Sequence, residues 1–236
     1  MCGRATLTRN EKELEERFGI DFYQEDIERY NPLPNYNVAP GQYFPVITNE
    51  DMGHFNVYNW GLIPYWAKKS VPRGKYINAR AENLLSSQLF KGPFLRRRCL
   101  IPLDGFYEWK KKVKSRQPYR IALKGDKIFS VAGLWDTWQA PDKSIINTFS
   151  MVTVKANDLI KQLHGRMPAI LTEEEEKLWL DNSIPTKELK ALLQPYEADL
   201  MYMYPVSVKV NNVRNNSPEL IKEVPEYNII QTSLFS

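Results

Sequence analysis

CLIPLDGFYEWKK, Cys99 to Lys111, is the stretch whose reading decides the fold. Its first five residues form a continuous apolar run that ends at Asp-Gly, which reads as a buried strand followed by a turn. Beyond the turn, Glu108 stands between Tyr107 and Trp109 in a second strand. Short runs of the same kind lie on either side: YFPVIT (43–48), FNVYNWGLIP (55–64), YRIALKG (119–125), IFSVAGLW (128–135) and INTFSMVTV (146–154). Many short strands rich in Val, Ile, Phe and Tyr predict twisted, mostly antiparallel sheets that close into a barrel-like core. KGDK (124–127) reads as a hairpin turn with Gly-Asp at its centre.

Several short helices flank that core. Thr8 and Glu11 have capping-box spacing ahead of Leu14 and Phe18, which lie one turn apart. Leu84, Leu85 and Leu89 predict a helix over 81–90, and Leu159, Ile160 and Leu163 another over 157–164. Thr172 is placed to cap EEEEKLWL, whose glutamates suit the positive end of a helix as a solvated first turn. Thr186 is placed to cap KELKALLQ, and the Pro- and Asn-rich NPLPNYNVAPG (31–41) reads as an ordered loop. No repeat or linker divides the chain. The expectation is one α+β domain over residues 1–224 with a tail at 225–236.

Composition narrows the function classes. The 236 residues are 43% hydrophobic and 12% aromatic, enough for a sizeable core. Lys and Arg number 32 against 28 Asp and Glu, so a net charge of +4 permits a polyanionic partner without demanding one. Two cysteines, Cys2 and Cys99, cannot build a disulfide framework. With only His54 and His164 as imidazoles, no zinc pattern is present and no cofactor is expected. Neither a signal core nor a run of about 18 apolar residues appears. The expectation is a soluble monomer of a reducing compartment, cytoplasmic, and nucleoid-associated if bacterial.

Polar residues inside apolar segments mark candidate chemistry. YINARAEN (76–83) carries Asn78, Arg80 and Glu82, with Asn78 either functional or a helix cap. Glu108 between two aromatics is either a desolvated proton carrier or an outward-facing strand residue. In LHGRMPAIL (163–171), His164 and Arg166 stand at a helix end, where a structural histidine is the alternative. WGLIPYWAKK (60–69) ends in aromatics and a basic pair; Trp66 is either core or a base-stacking ring. Cys2 is either a small packed residue or, once Met1 is removed, a 1,2-aminothiol. Such a group condenses with aldehydes, because an α-amine of pKa about 8 and a thiol near 8.5 are both reachable at neutral pH.

In this order, MCGR, YNVAPG, WGLIPYW, INARAEN, IPLDGFYEW, LHGRMP and PVSVKVNNVRNNSPEL closely resemble the SRAP family, proteins that act on abasic sites in DNA. The resemblance runs from Cys2 to about Val224. It implies a thiazolidine between Cys2 and the ring-opened aldehyde of an abasic site in single-stranded DNA. In that reading Asn78 orients the linkage, Glu108 moves protons, and His164 assists ring opening. Arg4, Arg80 and Arg166 would hold phosphates, with Asn37 and Thr153 near the DNA. Pro40 and Trp66 would wedge and stack against bases. Family members often have a second aromatic directly after the Trp66 position. Ala67 stands there in this chain, a stack of about 1–3 kcal/mol forgone if nothing replaces it. With Met1 retained the amine is an amide and no thiazolidine forms. Two alternatives remain at this point: a cysteine peptidase using Cys2, His164 and Glu108, and a non-covalent single-strand binding module.

Overall fold

The computed structural model describes residues 3–30, 32–69, 75–111 and 116–226, so Cys2 and most of the expected tail lie outside the described residues. The strands are β1 (Ala5–Leu7), β2 (Asp21–Phe22), β3 (Asn35–Val38), β4 (Tyr43–Thr48), β5 (His54–Trp60), β6 (Asn78–Arg80) and β7 (Arg98–Leu103). There follow β8 (Gly105–Lys111), β9 (Arg116–Leu123), β10 (Phe129–Gln139), β11 (Ile145–Lys155), β12 (Arg166–Pro168), β13 (Ile170–Leu171) and β14 (Met201–Pro205). The α-helices are α1 (Glu11–Phe18), α2 (Gln24–Tyr30), α3 (Lys91–Arg96), α4 (Glu173–Leu180) and α5 (Thr186–Ala191).

One sheet has the order β14-β9-β8-β1-β3, and the larger one β12-β11-β10-β7-β4-β5-β2. In the larger sheet β11 also pairs with β5 in parallel, Phe149 opposite Trp60. That pairing closes β11, β10, β7, β4 and β5 into a five-stranded barrel, removing the exposed edges an open sheet would leave. Most pairings are antiparallel; β2–β5, β5–β11 and β6–β11 are parallel. Ala5, Leu7, Phe106 and Ile121 of the smaller sheet share one buried core with Val131, Leu134 and Met151 of the barrel. The chain is a single α+β domain.

The opening stretch does form two strands, but in different sheets: β7 belongs to the barrel and β8 to the smaller sheet. Asp104-Gly105 is therefore the corner between them. Thr6 Oγ1 donates to Asp104 Oδ1 at 2.6 Å and the Thr8 amide to Oδ2 at 2.7 Å, tying β1 to this corner. A Cβ on Gly105 would sit 2.7 Å from Thr6 Oγ1 and 2.8 Å from Arg120 Nε, so the approach requires glycine. KGDK (124–127) is likewise a crossing between sheets and not a hairpin. β9 is flanked by β8 and β14, and β10 by β7 and β11, so the two strands it joins never pair. Gly125 and Asp126 still take the left-handed backbone that makes the turn (φ 82° and 50°).

Other expectations are corrected by tertiary demands. α1 is capped by Asn10 and Glu13, because the Thr8 amide and hydroxyl are both committed to Asp104. Within the expected loop, residues 35–38 form β3, held against β1. Residues 81–90 contain only a 3₁₀ turn at 81–83. Ser86 Oγ donates to Asn83 O and Ser87 Oγ accepts from the Phe90 amide, so these serines bond the local backbone in place of a helix. Residues 157–164 contain a single 3₁₀ turn at 160–162, with the Asn157 side chain accepting from the Ile160 amide. Thr172 does cap α4 through a capping box with Glu175. Its first turn is not wholly solvated, since Glu176 is buried against Arg17 at 2.9 Å. For α5 the cap is Pro185, whose carbonyl accepts from Glu188 and Leu189 amides, and Thr186 is already inside the helix. Among the described residues no helix is long and apolar enough to cross a membrane.

Candidate functional site

Two strand junctions position the candidate residues. At the first, β11 leaves the barrel and runs between β6 and β12. Met151 pairs with Asn78 and Thr153 with Arg80 on one side; Thr153 pairs with Pro168 and Lys155 with Arg166 on the other. Asn78, Arg80, Thr153, His164 and Arg166 are thereby brought into one patch. Arg80 is exposed, Asn78 and His164 are half-buried, and Thr153 is fully buried. His164 follows the 160–162 turn, and its Nδ1 accepts the Arg166 amide at 3.0 Å. Arg166 O also lies 3.4 Å from Nδ1, so the Arg166 backbone holds this ring nitrogen.

Arg166 is already engaged. Its Nη1 and Nη2 form a two-pronged pair with Glu82 Oε1 and Oε2 at 2.6 and 2.9 Å, and Nη2 also donates to Thr153 O. The planar fork that suits a phosphate is filled by a carboxylate. Of the patch arginines, Arg80 is the one that faces solvent.

The second junction is β1 between β3 and β8. Tyr107 donates its amide to Arg4 O at 3.0 Å, so Arg4, just ahead of β1, still lies beside β8 next to Glu108. Glu108 is only 4% exposed, and burial pushes its carboxyl up to about 7. Burial also pushes the neighbouring Tyr107 phenol up, and its hydroxyl donates to Tyr36 O at 2.8 Å. Arg4 is half-buried; Nη1 donates to Asn37 Oδ1 at 2.7 Å and to Val210 O, and the guanidinium lies 5.8 Å from the Trp109 ring centre. Asn37 is buried, and its amide nitrogen donates to the carbonyls of Val210, Asn212 and Asn215. Its side chain thus clamps the 210–215 segment, which Trp109 holds again through Asn211.

The aromatic segment follows β5 and is bonded, through the Leu62 amide, to Tyr76 O just ahead of β6. Trp66 is 56% exposed and Tyr65 64%, with Lys68 and Lys69 exposed just beyond. Their backbone is anchored three times. Ile63 donates its amide to Thr148 Oγ1 (2.9 Å), Tyr65 to Asp136 Oδ2 (3.0 Å), and Trp138 Nε1 donates to Ala67 O (2.7 Å). Pro40 is half-exposed in the β3–β4 turn, where Gly41 (φ 84°) donates to Trp60 O. Sequence reasoning missed Tyr65, Glu82's grip on Arg166, and the buried Asp104 and Asp136. Asp136 had a readable signal: a charge inside the apolar run GLWDTW must find partners, and Arg97 is one. Among the described residues no group of His, Cys, Asp or Glu is arranged to hold a metal ion.

The family model for SOS response associated peptidase (SRAP) matches residues 1–213. The chain belongs to the SRAP family. It is 44% identical over 226 residues to the abasic site processing protein YoqW of Bacillus subtilis (strain 168), covering 94% of this chain and 99% of that protein. It is 30% identical over 261 residues to the abasic site processing protein HMCES of Gallus gallus, covering 94% of this chain and 77% of HMCES. A crystal structure of a Bacteroides thetaiotaomicron protein matches with a TM-score of 0.88 at 29% identity, covering 94% of this chain and all of the other. Both strand junctions fall inside the SRAP match, so the family assignment and the site geometry concern the same part of the chain.

Proposed function

We propose that this SRAP protein processes abasic sites in single-stranded DNA by linking itself covalently to them through Cys2, once Met1 has been removed. The α-amine of Cys2 attacks the aldehyde carbon of the ring-opened sugar, and loss of water gives an imine. The thiol sulfur then adds to the imine carbon, its proton passes to the nitrogen, and a five-membered thiazolidine closes. No oxidant or cofactor enters the balance.

The observation that supports this reading most is Glu108, a buried carboxyl that burial pushes up to about 7, on the strand whose Tyr107 amide bonds Arg4 O. A group with that pKa can take the proton of the attacking amine and return it to the departing hydroxyl at neutral pH. His164 is suited to assist ring opening, and Asn78 to orient the linkage. Tyr65, Trp66 and Arg80 offer exposed stacking faces and an exposed cation to a single strand. Cys99 is buried in the core and burial pushes its thiol up, so it is no rival nucleophile.

The test is a denaturing gel of Met1-free protein, verified by mass spectrometry, mixed with a single-stranded oligonucleotide bearing an abasic site. A retarded covalent band is expected, and Cys2→Ala should abolish it while non-covalent binding persists. A heat-stable band from Cys2→Ala would refute the reading. Peptide cleavage with no DNA adduct would favour a cysteine hydrolase instead.

A further inference from the structure

Tyr76 has a left-handed backbone, φ 53°, two residues before Asn78. For a bulky side chain this is a genuine outlier, a conformation that glycine, asparagine or aspartate adopts far more readily. Such strain persists only where the surroundings over-determine it, and it concentrates where a side chain must be aimed. Here the surroundings do so. Tyr76 O accepts from Ser150 Oγ at 2.7 Å and from the Leu62 amide at 3.3 Å. Ile77 O accepts from the Met151 amide at 3.0 Å and from Trp60 Nε1 at 3.1 Å.

This pinned backbone does not bury the ring. Tyr76 is 37% exposed, with the Lys75 ammonium 5.2 Å from its ring centre. The bond from Leu62 ties it to the segment that presents Tyr65 and Trp66, and β6 leads from it to Asn78 and Arg80. An aromatic face backed by a lysine, on the way from two exposed rings to an exposed arginine, has the composition of a single-strand stacking platform.

We propose that Tyr76 is a base-stacking residue, holding one nucleotide of the single strand in the step next to Asn78. The proposal rests on the single-stranded DNA reading above and adds to it a binding residue that the motifs do not mark. Lys75 neutralises the phosphate of that nucleotide, and the strained backbone fixes the ring's direction before DNA arrives.

Tyr76→Asn removes the ring while supplying a residue that tolerates the backbone, and Tyr76→Phe keeps the ring. The readouts are melting temperature, anisotropy of a short fluorescent undamaged oligonucleotide, and the abasic-site gel. Tyr76→Asn should melt no lower than wild type and bind the plain oligonucleotide roughly 5- to 150-fold more weakly, the range of one lost base stack. Tyr76→Phe should bind as wild type does. Affinity of Tyr76→Asn within about twofold of wild type would overturn the proposal, and so would a loss that only follows a fall in melting temperature. If wild type cross-links normally in those cases, this inference alone fails. If wild type neither binds plain single strand nor cross-links the abasic one, the functional reading fails with it.

Discussion

Replacing Glu108 with Gln should make the protein more stable and less active at the same time. Burial raises the carboxyl from its ordinary 4.5 to about 7, so the fold favours the neutral acid. At about 1.36 kcal/mol per pH unit, that preference is worth on the order of 3 kcal/mol. The sign follows from linkage: the contribution is fully present below 4.5 and is lost as pH rises through about 7. Wild type therefore loses stability across that window, whereas the amide, unable to ionise, keeps it. The gap between Glu108→Gln and wild type should be wider near pH 8 than near pH 5 by about 2.5 kcal/mol. In a chain of this length that corresponds to roughly 5–10 °C in melting temperature. Urea titrations of both proteins at the two pH values measure it. The same variant should form the DNA adduct about 10²- to 10⁴-fold more slowly, the usual worth of a general acid–base group. Parallel pH–stability curves would refute the burial argument, and a wild-type adduct rate would remove Glu108 from the chemistry.

Salt dependence discriminates among the arginines. Arg80 is exposed, so Arg80→Ala should flatten the slope of log affinity against log salt by about 0.7, one phosphate on a single strand. Arg4 and Arg166 are spent on Asn37 and Glu82, so their alanine variants should lose stability before they change the slope. Lys187 and Lys190 on α5 serve as controls that leave it unchanged. Gly105→Ala should cost about 1–3 kcal/mol in a denaturant titration, since its methyl would press on Thr6 and Arg120.

How much of this was legible in the sequence depends on the range of the forces involved. Strand identity at 43–48, 99–103, 119–123 and 146–154 follows from local pattern, because an apolar run of β-branched and aromatic residues has few other ways to be buried. The Thr172 cap is local too, decided within four residues. A raised pKa at Glu108 was anticipated from a carboxylate in an apolar, aromatic strand, but its cause is burial on the face opposite Tyr107 and Trp109, which the fold supplies. Which strands pair was not legible. Two Gly- and Asp-bearing turns that look like hairpins join strands of different sheets, because here long-range strand pairing outweighs the local turn signal.

Side-chain partnership likewise waited on the fold. Thr8 could cap a helix, but Asp104, far along the chain, holds it. Arg166 could grip a phosphate, but β12 sets it beside Glu82. The sequence by itself determined the strand inventory, the aromatic and basic segments, and the reactive residue types at 2, 108 and 164. Only the tertiary structure decided which polar groups are buried against partners and which, like Arg80, are exposed, because a hydrogen bond is made between neighbours in space and not in sequence.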